Sequence, residues 1–156
     1  MNWRWRGLTP IPWNGRRISM ETWRTWLKMA DESYQSAELA RDAGYYRSAL
    51  SRDYYAAFQV TTAFFHYRNL STPKVAGNSR EAWSHLITPE LLDQQLKPFV
   101  KNPRRRLELK EKLRALYRFR VGADYLSSHR IKDEDTIHAA KSANYLIKTV
   151  RRLIED

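Results

Sequence analysis

The stretch Arg114-Ala-Leu-Tyr-Arg-Phe-Arg-Val-Gly-Ala-Asp-Tyr125 sets the reading of the whole chain. Together with the residues before it, it places Leu109, Leu113 and Leu116 at i, i+4 and i+7, the spacing of a helix face turned toward a core. The next members of that face are Arg120 and Asp124. An apolar stripe therefore runs for two turns and ends in a guanidinium and a carboxylate. Ions are costly to bury unless paired, so these two are either a structural pair or a site.

Outward from this stretch the chain is basic. From Lys101 to Arg120 there are nine basic residues against Glu108 and Glu111, and the first 18 residues carry four arginines and no acid. The whole chain has 156 residues and a formal net charge of +11. Clustered charge of this kind attracts polyanions: nucleic acid, nucleotides or an acidic partner. Arg104, Arg105, Arg106, Lys110, Arg114 and Arg118 are the candidate nucleic-acid contacts, against the plainer reading of a solvated basic surface. The length suits one domain. Cysteine is absent, which rules out disulfides and thiolate metal sites. No apolar run approaches the roughly 18–20 residues of a membrane span. Met1 to Ile18 lacks the apolar core of a secretory signal. The expectation is a soluble cytoplasmic protein that needs no cofactor, metal or membrane.

Residues 1–18 read as an extended arm. Pro10 and Pro12 oppose a helix, Asn14-Gly15 signals a turn, and Trp3, Trp5 and Trp13 are interleaved with arginines. Those tryptophans either stack on bases or anchor the arm on protein, and the second is the commoner fate of tryptophan. Residues 19–156 read as a helical bundle. Ser19 is the expected N-cap of a first helix with Trp23, Trp26, Leu27, Ala30, Tyr34, Ala37 and Arg41 on one face, closed by Gly44. A second helix is expected from Tyr46 to Leu70, with a wide stripe through Leu50, Tyr54, Ala57, Phe58, Thr61, Phe64 and Phe65. The short link between the two makes them antiparallel neighbours. Ser79 is positioned to cap a short helix to Ile87, and Thr88-Pro89 to open another before Pro98. The basic helix then runs from Pro103 to Asp124. A last helix follows, capped by Asp133 or Asp135, with Ala139, Ala143, Leu146, Ile147, Val150 and Ile154 inside. No strand pattern is visible, so the fold class is all-α: four long helices plus one or two short ones.

Two stretches resemble a known family. Asp42-Ala-Gly-Tyr-Tyr-Arg-Ser-Ala-Leu-Ser-Arg-Asp-Tyr-Tyr-Ala-Ala-Phe58 is similar to the second-helix signature of HEPN domains. Leu116 to Tyr125 resembles the Arg-x-x-Ala-Asp-Tyr variant found in the same family. The resemblance covers Met20 to Ile154 and implies an up-down bundle that commonly forms a homodimer. It also implies RNA or nucleotide as ligand. Many such proteins are metal-independent endoribonucleases, toxins or defence effectors whose partner is often a nucleotidyltransferase-like antitoxin. Their ribonuclease motif is an Arg followed after a short gap by a His. Here Arg120 is present, Asp124 and Tyr125 occupy the region of the His, and His129 lies nine positions on.

Metal-free RNA cleavage needs a base, an acid and a cation on the phosphorane. Arg120 is the candidate cation, His129 the acid or base, Asp124 its orienting group and Tyr125 a donor to phosphate. The structural alternative pairs Arg120 with Asp124 at i, i+4 and braces them with Arg52, Asp53 or Tyr54 of the second helix. His66, His85 and His138 stand singly and read as ordinary packed or surface residues. A different class stays open: a non-catalytic RNA-binding subunit or adaptor of a larger ribonucleoprotein or defence complex, docked through its Trp-rich arm.

Overall fold

The computed structural model describes residues 22–73 and 83–156. They form five helices: α1 (Thr22–Asp42), α2 (Tyr46–Tyr67), α3 (Thr88–Leu96), α4 (Pro103–Tyr125) and α5 (Asp133–Glu155). No strand occurs among the described residues. The four long helices and the all-α class agree with the sequence. The arm, the cap at Ser19 and the start of the helix expected from Ser79 lie outside the described residues. The rest of that helix does not form: Trp83 to Ile87 are turn and coil.

Helix ends follow local chemistry. Gly44 takes φ +78°, and the amides of Gly44 and Tyr45 return to the carbonyls of Arg41 and Ala40, which closes α1. α2 stops at Tyr67 rather than Leu70. Asn69 adopts φ +57°, and Asn69 and Leu70 donate back to His66 and Phe65 in the same pattern. Thr88 is the first residue of α3 and not its cap, because its hydroxyl donates to the Ser84 carbonyl at 2.6 Å. Asn102 caps α4, accepting from the Arg104 amide at 2.9 Å. At α5 the Lys132 amide donates to the Asp135 carboxylate, so Asp135 acts from inside the first turn.

α2 sits at the centre and touches the four other helices. Ala49, Leu50, Tyr54, Ala56, Ala57, Val60, Ala63, Phe64 and Phe65 are all buried, on more than one face of the helix. Its buried Thr61 and Thr62 hydroxyls donate to the carbonyls of Ala57 and Phe58, so they cost little. Small residues let α1 approach closely: Ala30 and Ala37 on one side, Ala49 and Ala56 on the other. Across this seam Trp23 meets Tyr67, Trp26 meets His66, Ser33 meets Gln59 and Arg41 meets Asp53. One number falls as the other rises, which makes the helices antiparallel. α4 runs antiparallel to α2 in the same way, with Leu109, Leu113 and Leu116 fully buried at the seam. Each such side chain contributes roughly 1.5–3 kcal/mol. The stripe read from the sequence is thus the one that docks α4, and it delivers Arg120 and Asp124 to the end of the α2–α4 contact.

Candidate functional site

At that end the Arg120 side chain is 12 % exposed and held from three sides. Its Nη2 donates to the Tyr55 hydroxyl and to the Tyr125 hydroxyl, each at 3.0 Å. Its Nε lies 3.0 Å from Asp124 Oδ2, a charge contact without hydrogen-bond alignment. The Ser51 hydroxyl donates to the same carboxylate oxygen at 3.1 Å. The guanidinium also lies over both tyrosine rings, 5.5 and 5.0 Å from their centroids. Burial alone would oppose its charge, but the Tyr55, Tyr125 and Asp124 oxygens outweigh burial and push its pKa above the ordinary value. The group is therefore a fixed cation at neutral pH.

The support from α2 differs from the sequence expectation. Asp53 pairs with Arg41 of α1 at 2.6 Å, Tyr54 bonds His85, and Arg52 is exposed. Ser51 and Tyr55 do the bracing instead. The reason is helical geometry: Ser51 and Tyr55 are one turn apart on the side facing α4, whereas Asp53 lies about 200° round the helix from Ser51.

His129 is not part of this cluster. Its ring rests against Gly122, 3.1 Å from where a Cβ would stand. Gly122 is two residues and about 200° round α4 from Arg120. His129 lines a separate cleft of about 500 Å³ with Tyr45, Arg47, Ser128 and Arg130. The seat is loose enough to test. Gly122→Ala is expected to raise stability by about 0.5 kcal/mol, because alanine favours a helix interior by up to about 1 kcal/mol and an exposed imidazole yields easily. A thermal melt showing a loss above roughly 1 kcal/mol would mean that the His129 seat is rigid.

A different histidine lies nearby. His85 Nδ1 is 2.5 Å from the Tyr54 hydroxyl, and its ring stacks on Tyr117 at 5.7 Å and 12°. Burial, and secondarily the Arg120 charge, lower its pKa and keep it neutral. No sequence signal marks it, since it stands alone ahead of α3.

The basic stripe divides. Lys110 pairs with Glu90 at 2.7 Å, Arg114 pairs with Glu90 and with Glu111, and Arg106 lies 3.4 Å from Asp93 while donating to the Val100 carbonyl. Arg104, Arg105 and Arg118 are exposed and have no side-chain partner among the described residues. The acids that neutralise the first three come mainly from α3, and its docking was not visible in the sequence. No group of three His, Asp or Glu side chains that could hold a metal occurs among the described residues. No helix there is long and apolar enough to cross a membrane.

A family model described as HEPN domain matches residues 23–154. No curated protein is significantly similar to the chain.

Proposed function

The chain belongs to the HEPN domain family, and from that premise we propose that it is an RNA- or nucleotide-binding protein that seats a phosphate at Arg120. The observation that carries this reading is the way Arg120 is held. Both phenols accept from Nη2, so each keeps its own hydroxyl hydrogen to donate. Nη1 has no partner among the described residues. The cluster therefore offers the guanidinium edge and two phenol donors to one anion, and charge-assisted bonds of this type are the strong ones. Asp124 holds the other side of the guanidinium and is itself fixed by Ser51. Arg104 and Arg118 supply further contacts along the strand. Dimerisation, toxin or defence-effector action, a nucleotidyltransferase-like partner and a cytoplasmic setting belong to this proposal as expectations of the family.

His85 favours a second reading, metal-independent cleavage of the bound RNA. The Tyr54 hydroxyl pairs with His85 Nδ1, and with the ring neutral either partner can be the donor. In the tautomer with its proton on Nδ1, the neutral ring can take the 2′-hydroxyl proton on Nε2 as the 2′-oxygen attacks phosphorus, and the 5′-oxygen leaves with a proton from water.

The test uses purified full-length protein and a labelled single-stranded RNA. Wild type is expected to bind it with steep salt dependence. Arg120→Ala is expected to weaken binding about 10- to 100-fold, or about 1.4–2.8 kcal/mol. Equal affinity of the two proteins would remove Arg120 from the interface. Cutting by wild type that His85→Ala abolishes would establish the second reading, and intact RNA throughout would leave the protein a binding module.

A further inference from the structure

A second cleft lies on the α5 side of α4, remote from Arg120. It has a volume of about 400 Å³ and a floor of Phe99, Val100 and Leu153. Lys101, Arg105 and Arg152 line the same cleft. All three cations are exposed and none has a side-chain partner among the described residues. Their neighbours behave differently: Arg106 engages Asp93, and Arg151 engages Asp31 at 2.6 Å. Three cations from two separate segments thus converge on one apolar notch that no carboxylate lines. Like charges brought together without a counter-ion repel one another, so the arrangement gains most from an anion of more than one charge. A terminal phosphate carries about −1.5 to −2 at pH 7, more than an internal diester. The apolar floor suits the flat body of a base. Along α4, Arg105 and Arg120 are about 22 Å apart, and Arg105 borders α5 whereas Arg120 bonds Tyr55 of α2.

We propose that this cleft binds a phosphate monoester together with its base, with Lys101, Arg105 and Arg152 on the phosphate and Phe99, Val100 and Leu153 under the base. The ligand is either a free nucleoside monophosphate or the 5′-phosphorylated end of an RNA strand. The site is independent of the Arg120 reading.

Calorimetric titration of the full chain tests this with adenosine monophosphate, adenosine and inorganic phosphate. Anisotropy tests it with a short RNA bearing either a 5′-phosphate or a 5′-hydroxyl. The Arg105→Ala/Arg152→Ala double variant is expected to lose at least tenfold in affinity for the monophosphate ligand. Both side chains are exposed and unpaired among the described residues, so the fold should survive, which circular dichroism would confirm. Arg152→Glu alone is expected to act in the same direction. Loss of mononucleotide binding identifies the free nucleotide as ligand. Loss of a preference for 5′-phosphate over 5′-hydroxyl RNA identifies the strand end. Arg120→Ala is expected to weaken 5′-phosphate and 5′-hydroxyl RNA alike, so the difference between the two RNAs reads this cleft, and a failed Arg120 reading would not touch it. The assignment is overturned if the double variant binds as wild type does. It is also overturned if no monophosphate binds, or if inorganic phosphate binds as tightly as the nucleotide.

Discussion

Replacing Arg41 with alanine is expected to destabilise the protein by about 3–5 kcal/mol at pH 8 and by far less at pH 5. Arg41 donates to Asp53 at 2.6 Å, and the carboxylate is fully buried between α1 and α2. Asp53 Oδ1 has no hydrogen-bond partner there. Burial pushes the carboxyl up to about 6 from 3.8, against the opposing pull of Arg41. The sign follows directly. The folded state binds this proton more tightly than the unfolded state does, so the group's contribution is full below about pH 3.8 and is lost as pH rises through about 6. Without Arg41 the lowering influence disappears and the carboxyl rises further. At pH 8 the variant must then either bury an unpaired charge or take up a proton. At pH 5 the carboxyl is mostly protonated in wild type and variant alike, and only packing and one hydrogen bond differ. Urea melts of both proteins at the two pH values decide the matter. An equal loss at both would show that the pair contributes through shape alone. Asp53→Asn should flatten the wild-type slope between pH 4 and pH 7.

How far the sequence discloses this molecule depends on whether a feature is local or across helices. The stripe of Leu109, Leu113 and Leu116 needed only helical periodicity, and the Arg120–Asp124 pair needed only i, i+4 spacing. Gly44 could be read as helix punctuation for the same reason. Ser51 and Tyr55 could not, because choosing them over Asp53 requires knowing which side of α2 meets α4, and choosing them over Tyr54 requires knowing that His85 takes its hydroxyl. Glu90 and Asp93 neutralise half of the basic stripe only because α3 docks on it. His85 enters the neighbourhood of Arg120 through a segment that has no periodic pattern at all. Pairing across helices is a property of the packed bundle, and so are the three features that reshape the site.

Arg47 belongs to the same class and gives the other large effect. α4 ends at Tyr125 with Leu126 in an extended conformation, φ −112° and ψ 91°, and without a glycine turn. Its last carbonyls therefore need outside donors. Arg47, in the first turn of α2, provides them. Its Nη1 donates to the carbonyls of Ala123 at 2.7 Å and of Gly122 and Leu126 at 3.2 Å. Its Nη2 donates to the carbonyls of Ser127 at 3.3 Å and His129 at 2.7 Å. A cation at a helix C-terminus also complements the helix dipole. Arg47→Ala is expected to cost about 2–3 kcal/mol, since hydrogen bonds to a charged donor are lost and the carbonyls must find water. The melting temperature should fall by about 5–10 °C. Lysine should restore less than half of this, because a point charge on a single stem cannot span five carbonyls. The loss should spread to the site, because Asp124 and Tyr125 are the last two residues of α4 and both hold Arg120. A fraying final turn loosens them first, so RNA affinity should drop with stability in Arg47→Ala although Arg47 itself is committed to carbonyls. Calorimetry on the variant, with RNA titration well below its melting temperature, measures both. A melting temperature within about 2 °C of wild type would show that water caps this helix as well as Arg47 does.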